Sequence, residues 1–253
     1  MKATLLIDAD EYVHIAAAAV EYEAHWDDEN VILASNVKQA WDTFETMIQG
    51  VTDAIGGDLM LLFAFTSPMN FRKAVYPPYK AKRGGRKPLC FNDLKKKVND
   101  SHKCFTFNGL EADDVLGILA TGGYYENPII VSQDKDMLTL PTSIWREGKV
   151  QTITPAFADF NWLKQTLTGD TSDGYPGCPG VGPVTAEKLL ENFIVHNLDG
   201  TTSFELAEAW KAVVQQFVKK GLTEDDALTQ AQCARILRAS DWDDVEGVKL
   251  WVP

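Results

Sequence analysis

Three short apolar runs, each giving way to acidic, amide or hydroxyl side chains, constrain this chain most: "ATLLIDAD" from residue 3, "LMLLFAFTS" from residue 59 and "NPIIVSQDKD" from residue 127. Brief apolar runs bounded by polar residues read as buried strands. Between the first two, "NVKQAWDTFETMIQGVTDAI" spaces Val37, Ala40, Trp41, Phe44, Met47, Ile48, Val51 and Ile55 at helical intervals. "KCFTF" reads as a further strand and "EADDVLGILATGG" as a helix. Strands alternating with helices predict an α/β fold around a mostly parallel sheet. Beyond residue 154 the signals turn mostly helical, most clearly in "PAFADFNWLKQTLTG" and "GPVTAEKLLENF".

In such sheets ligands bind beyond the carboxyl ends of the strands. Asp8 and Asp10 close the first run, Thr66 and Ser67 the second, and Gln133, Asp134 and Asp136 the third. Alternate residues of an extended segment share a side, which pairs Asp8 with Asp10 and Asp134 with Asp136. Glu111 and Asp114 share one side of a helical turn, as do Asp170 and Asp173 in "GDTSDG". Acids in a first helical turn often serve only as caps, but here acids recur at the ends of the first and third runs and again in "GDTSDG". Asp113 brings the set to nine carboxylates, and Lys135 among them is expected to point away. If they converge, so much like charge needs a counter-charge. An all-oxygen set suits Mg²⁺ or Mn²⁺ better than zinc. The four histidines, at 14, 25, 102 and 196, show no ligand spacing. Two hard metals are a standard device for phosphodiester hydrolysis, with no Ser or Cys nucleophile required.

The formal charge of −12 argues against a nucleic-acid partner until its distribution is read. Residues 72–97 hold ten of the 24 Lys and Arg and one acid, so that segment carries +9 and the remainder −21. Pro77, Pro78 and the Gly84–Gly85 pair interrupt it, as in an anion-gripping loop. In "GDTSDGYPGCPGVGPVTAEKLL", Gly177, Gly180 and Gly182 permit a tight turn, and Pro183 suits the start of a helix. Amides at that helix start, with Thr185 and then Lys188, make a phosphate seat. The four cysteines lack CxxC spacing, so no disulfide is implied, and Cys90, Cys104 and Trp26 read as packing residues. No signal peptide or membrane span is expected, and the scattered cysteines suit a reducing cytoplasm.

"GLEADD", "SQDKD" and "GDTSDGYPGCPGVGPVTAEKLL" stand in the order and approximate spacing of the motifs of the 5′-nuclease (flap endonuclease) superfamily. "FAFTSPMNFRKAVYPPYKAKR" resembles its strand followed by a basic arch. Within that superfamily the chain is similar to the gene-six-type exonucleases of short-tailed T-odd coliphages, whose end "CARILRASDWDDVEGVKLWVP" also resembles. The resemblance implies a PIN-like α/β catalytic domain over 1–154 with an arch at about 68–100. A helical region follows over 155–253, with a helix–hairpin–helix module at about 169–193 and a terminal segment packing back.

The same resemblance makes Asp8, Glu111 and Asp113 first-metal ligands, with Asp10 and Asp114 beside them. Asp134, Asp136, Asp170 and Asp173 become the second-metal group. Arg72, Lys80 and Arg83 would steer the scissile phosphate, and Lys73, Tyr79 and Lys82 would join them on DNA. Gly180, Val181, Gly182, Thr185 and Lys188 would hold duplex phosphates, with K⁺ at the hairpin. The implied activity is a two-metal 5′→3′ exonuclease with flap endonuclease potential, acting as a monomer on duplex DNA with a 5′ end or flap and on RNA–DNA hybrids. Two departures stand out: Ser67 where many relatives carry aspartate, and Val184 where they often carry lysine. Ser67 leaves open a catalytically weak DNA-binding protein; a PIN-like ribonuclease is the other alternative.

Overall fold

The computed structural model describes residues 2–25 and 31–253; Trp26 lies outside them. The chain opens with β1 (Lys2–Asp8), α1 (Ala9–Ala19) and an antiparallel pair, β2 (Tyr22–His25) and β3 (Val31–Ala34). There follow α2 (Val37–Ile55), β4 (Asp58–Ala64), the short α3 (Arg72–Val75), α4 (Phe91–Ser101), β5 (Cys104–Phe105), α5 (Ala112–Thr121) and β6 (Pro128–Val131). The hairpin of β7 (Ser143–Arg146) and β8 (Lys149–Thr152) leads into α6 (Pro155–Thr168) and α7 (Pro183–Leu190). Then come β9 (Ile194–His196), β10 (Thr202–Phe204), α8 (Leu206–Lys219), α9 (Glu224–Ala234), β11 (Trp242–Asp243) and β12 (Gly247–Val248).

Six strands form the central sheet in the order β5-β4-β1-β6-β7-β8, all parallel except β8. The chain builds leftward from β1 to β4 and β5, then crosses to β6 on the other side. That reversal at β1 creates the crevice where open α/β sheets bind ligands. Because helices cover both faces, β1 is buried continuously from Ala3 to Asp8 rather than at alternate residues. Its Leu5 and Ile7 pack under α1, α2 and α4, while Leu6 packs under α5. A third core, built from Trp162, Leu163, Leu167, Trp210, Val213 and Phe217, unites the helices after residue 154. All four cysteines are free, and Cys90, Cys178 and Cys233 are buried.

The structure redraws two expectations. The end of the basic segment is no arm: Phe91, Leu94 and Val98 of α4 enter the sheet core, leaving Lys96 on the outer face while the Lys97 ammonium lies over the Trp41 ring of α2, 4.4 Å from its centroid. The exposed basic loop is therefore confined to the stretch before Cys90. The β7–β8 hairpin has no counterpart in the sequence reading, although "REGK" carries its signal. Glu147 and Gly148 both take positive φ, 53° and 75°, as a type I′ turn requires. Among the described residues no helix is long and apolar enough to cross a membrane.

The segment after α9 crosses α5 at Gly117, where an added Cβ would lie 2.3 Å from the Leu237 carbonyl oxygen and 2.9 Å from Leu140 Cδ2. Alanine normally stabilises a helix interior relative to glycine by about 0.5–1 kcal/mol. Here Gly117→Ala is expected to do the reverse, destabilising by about 1–3 kcal/mol through overpacking, as read from the urea midpoint.

Candidate active site

Most of the acids at the strand ends first serve the local backbone. Asp8 caps α1 by accepting the Glu11 amide at 3.1 Å, and Asp134 caps a 3-10 turn over Lys135–Thr139 by accepting the Asp136 amide at 2.8 Å. Glu111 caps α5 in a reciprocal box with Asp114. Asp170 closes a turn by accepting the amides of Ser172 at 2.7 Å and Asp173 at 3.1 Å. Asp10 and Asp136 thus stand on helical turns, not on the extended segments that the alternation argument assumed. Each still faces the same side as its partner, because the turn begins at once.

The result is a cleft of about 370 Å³ at the carboxyl ends of β1, β4 and β6, lined by Asp8, Asp10, Glu111, Asp113, Asp134, Asp136, Asp170 and Asp173. Glu11 also lines it, a residue the sequence reading passed over. Its signal was available: it stands one helical turn after Asp8. Its carboxylate accepts the Ser132 hydroxyl and the Gln133 amide, each at 2.9 Å, joining α1 to the end of β6.

Cations interleave with these acids. Lys80 pairs with Glu111 and stands 3.6 Å from Asp173, and Arg83 reaches Asp173 at 2.7 Å. Lys135 does not point away: the 3-10 turn swings its ammonium to Asp136 at 2.7 Å and Asp170 at 3.2 Å. Lys95 of α4 lies 3.1 Å from Asp10, whose other oxygen accepts the Thr66 amide at 2.6 Å.

The unpaired acids register the crowding. Asp8 is pushed up to about 7, first by burial, against the Glu11 amide, with the charges of Glu11, Asp10 and Asp134 adding. Asp113 is raised well above the usual carboxylate range by burial and then by Asp8, Glu111 and Asp134. Glu111 behaves oppositely: burial raises it, but Arg72 and Lys80 outweigh that and hold it at about 2. Asp170 is likewise lowered to about 2, as Ser172, the Asp173 amide and Lys135 overcome burial.

Among the described residues no three acids enclose a common ion position as they stand, and Lys80 and Lys135 bridge Glu111 to Asp173 and Asp136 to Asp170. The donor set nevertheless fits hard divalent cations: it is all oxygen, and among the described residues neither Asp8 nor Asp113 forms an ion pair.

The family model for the 5′-3′ exonuclease N-terminal, resolvase-like domain matches residues 3–159. The chain belongs to the 5′-3′ exonuclease family. The exodeoxyribonuclease of Enterobacteria phage T3 is 29% identical over 284 aligned residues, covering 100% of this chain and 93% of that protein. The exonuclease of Escherichia phage T7 is 29% identical over 283, covering 100% and 94%. Among solved structures, the phage T5 D15 protein co-crystallised with metal ions superposes with a TM-score of 0.62 at 14% identity, over 90% of this chain and 88% of that one. A pseudo-enzyme–product complex of the T5 D15 flap endonuclease with DNA and metal ions superposes at 0.51 and 13% identity, over 92% and 93%. These likenesses bear out the resemblance to the 5′-nuclease superfamily and the α/β fold, and make the chain a phage-type nuclease of the exonuclease and flap endonuclease class.

Three residues of this exonuclease stand elsewhere than the sequence reading put them. Arg72 is not open to a phosphate; it is 2% exposed. Its side-chain nitrogens bond both oxygens of Asp114 at 2.7 Å, Glu111 at 3.2 Å, and the carbonyls of Cys233 at 3.0 Å and Arg235 at 2.6 Å. Asp114 faces away from the cleft, fully buried, and also accepts the amides of Glu111 and Leu237, each at 3.1 Å. Tyr79 is buried too, its hydroxyl lying 2.9 Å from Glu111 and 2.8 Å from Asp173. Lys73 and Lys82 are exposed on the basic loop. Ser67 does not line the cleft; its hydroxyl accepts the amides of Met69 at 3.3 Å and Gly109 at 3.2 Å. Thr66, its neighbour, lines the cleft instead.

The glycine segment forms a compact turn between α6 and α7. Gly169 and Gly177 have φ near +67° and +66°, and a Cβ on Gly177 would lie 2.3 Å from the Gly169 nitrogen. The backbone can cross only without side chains at that point. Val181 is buried beneath the turn, whereas Gly180, Gly182, Thr185, Lys188 and the departing Val184 are exposed.

Removing one partner of a buried ion pair strands the other charge, which typically costs about 3–5 kcal/mol. Arg72→Ala is therefore expected to lower stability on that scale, measured by thermal unfolding. Arg72→Lys is expected to restore little of it, because a single ammonium cannot replace the planar fork. A fully stable Arg72→Ala with weakened DNA affinity would return Arg72 to the phosphate-steering role.

Proposed function

We propose that this chain is a divalent-metal-dependent 5′→3′ exonuclease with flap endonuclease capacity, cutting phosphodiesters at DNA 5′ ends. The observation that carries this reading is the single cleft at the sheet's switch point, lined by eight of the nine expected acids and entered by Lys80 and Arg83. Asp8, Glu111 and Asp113 would hold one hard cation, Mg²⁺ or Mn²⁺, and Asp134, Asp136, Asp170 and Asp173 a second. Bound there, the two ions would supply an acidified water and charge neutralisation at the reacting phosphate.

The chain's own residues do the rest. Lys80 and Arg83 project from the basic loop into the cleft mouth, where they attract the backbone beside the scissile bond. Glu11 keeps the end of β6 against α1, and so keeps Asp134 opposite Asp8. Exposed Gly180 and Gly182, with Thr185 and Lys188, offer a backbone-lined seat for duplex phosphates, where the resemblance adds K⁺. Backbone contacts of this kind position a substrate without reading its sequence. The same chemistry accepts RNA–DNA hybrids, which suits primer removal and end resection in phage replication or recombination. A monomer in the host cytoplasm suffices for this work.

Incubation with 5′-labelled duplex, flap and hybrid substrates plus Mg²⁺ or Mn²⁺ should release short 5′ products, and EDTA should abolish release. Asp134→Asn is expected to lose about a hundredfold or more of that activity, the scale on which charge-stabilising groups act. Full activity in Asp134→Asn, or in EDTA, would sink the reading.

A further inference from the structure

Among the described residues that line the cleft, Lys135 is the cation to which the proposed chemistry gives no task. Lys80 and Arg83 enter from the basic loop, whereas Lys135 stands between two of the acids. It opens the 3-10 turn that Asp134 caps, and its ammonium bridges Asp136 Oδ1 at 2.7 Å and Asp170 Oδ2 at 3.2 Å.

Neither acid depends on the lysine for its position. Asp170 Oδ1 accepts the amides of Ser172 and Asp173, which leaves Oδ2 to the ammonium. Asp136 is fixed through its own amide, which donates to Asp134. Both carboxylates are sheltered, with side chains 18% and 11% exposed, whereas the Lys135 side chain is 65% exposed. Its stem also borders a neighbouring hollow of about 580 Å³. A lysine ammonium on its flexible aliphatic stem can turn into that space with no change in the backbone.

Fixed anions with a removable cation behave as an ion exchanger. A single ammonium shared by two carboxylates leaves one negative charge unbalanced, and it meets their lone pairs only through N–H donors. A hard divalent cation balances both charges and takes the oxygens as direct ligands. An ion touching both Asp136 and Asp170 needs the space that the ammonium holds, so the two exclude each other.

We propose that Lys135 is the resident counter-cation of this half of the cleft, bridging Asp136 and Asp170 in the metal-free protein and leaving them when a divalent cation binds. Its ammonium thereby sets the concentration at which that ion enters. The assignment rests on the metal-dependent reading above and adds to it a residue that tunes ion affinity.

The test joins two equilibria measured on the intact chain: Mn²⁺ binding by titration calorimetry, and urea unfolding in EDTA and in saturating Mn²⁺. Because the bridge exists only without metal, Lys135→Met should unfold more readily in EDTA and match the natural protein in saturating Mn²⁺. Linkage then requires Mn²⁺ to bind more tightly by the same factor. That factor should be about twofold to fivefold, the scale of a partly exposed ion pair. Lys135→Arg keeps a cation in place and should return both measurements toward the natural values. Stability lost equally in EDTA and in Mn²⁺, with affinity unchanged, would make Lys135 a structural residue and overturn the assignment. Tighter binding with no loss of stability in EDTA would overturn it too, because that is repulsion of the ion from a distance. So would a variant indistinguishable from the natural protein. Each of these outcomes leaves the nuclease reading standing, whereas a natural protein that binds no Mn²⁺ and cleaves in EDTA would overturn both.

Discussion

The buried pair of Arg72 and Asp114 is the junction on which the site depends. Desolvating two charges is favourable only when every donor and acceptor is matched. Here the guanidinium's three nitrogens make five contacts, and Asp114 takes two of them plus the Glu111 and Leu237 amides. Three separate stretches of chain meet at that point: the start of α3, the cap of α5, and the end of α9 with the segment that follows it. Glu111 is held at its position from behind by Arg72 and from the side by Tyr79. The basic loop leaves α3 already anchored, so Lys80 and Arg83 arrive at the cleft from a fixed base.

In front of that junction the chemistry reverses. Behind Glu111 the charges are buried and matched; in the cleft the acids outnumber the cations, and Asp8 and Asp113 are raised first by burial and then by the charges of their neighbours. A cleft built this way favours any positive partner that can reach it. Lys80 and Lys135 are the chain's own candidates, and hard divalent cations suit the oxygen donors better. The acidic body and the basic loop are two halves of one arrangement: the body supplies oxygen ligands, and the loop offsets their repulsion of a phosphate backbone.

Tyr79 illustrates how the helical region is joined to the sheet. Its ring stacks on Tyr175 with centroids 6.2 Å apart, inside the helical core, while its hydroxyl meets acids from both halves of the cleft. Asp173 and Glu111 belong to segments some sixty residues apart in the chain, and this phenol, with Lys80, bridges them. Ser67 shows the converse. A hydroxyl at the end of β4 is absorbed by the loop amides of Met69 and Gly109, so the neighbouring Thr66 faces the cleft.

What the sequence determined by itself was local and periodic. Apolar runs gave the strands, helical spacing placed Phe44, Ile48 and Val51 against the sheet, and acids at the ends of β1 and β6 marked the carboxyl edge where the cleft forms. What only the tertiary structure decided was direction. A run of basic residues does not say that Arg72 turns inward while Lys80 turns to the cleft, nor that α4 buries Phe91 and Leu94. Adjacent acids at positions 113 and 114 look alike in sequence, yet a helix rotates successive side chains by about 100°. One therefore faces the cleft and the other the guanidinium. That difference depends on what lies across the gap, and the partners across it come from residues 72, 233, 235 and 237, which no local pattern connects.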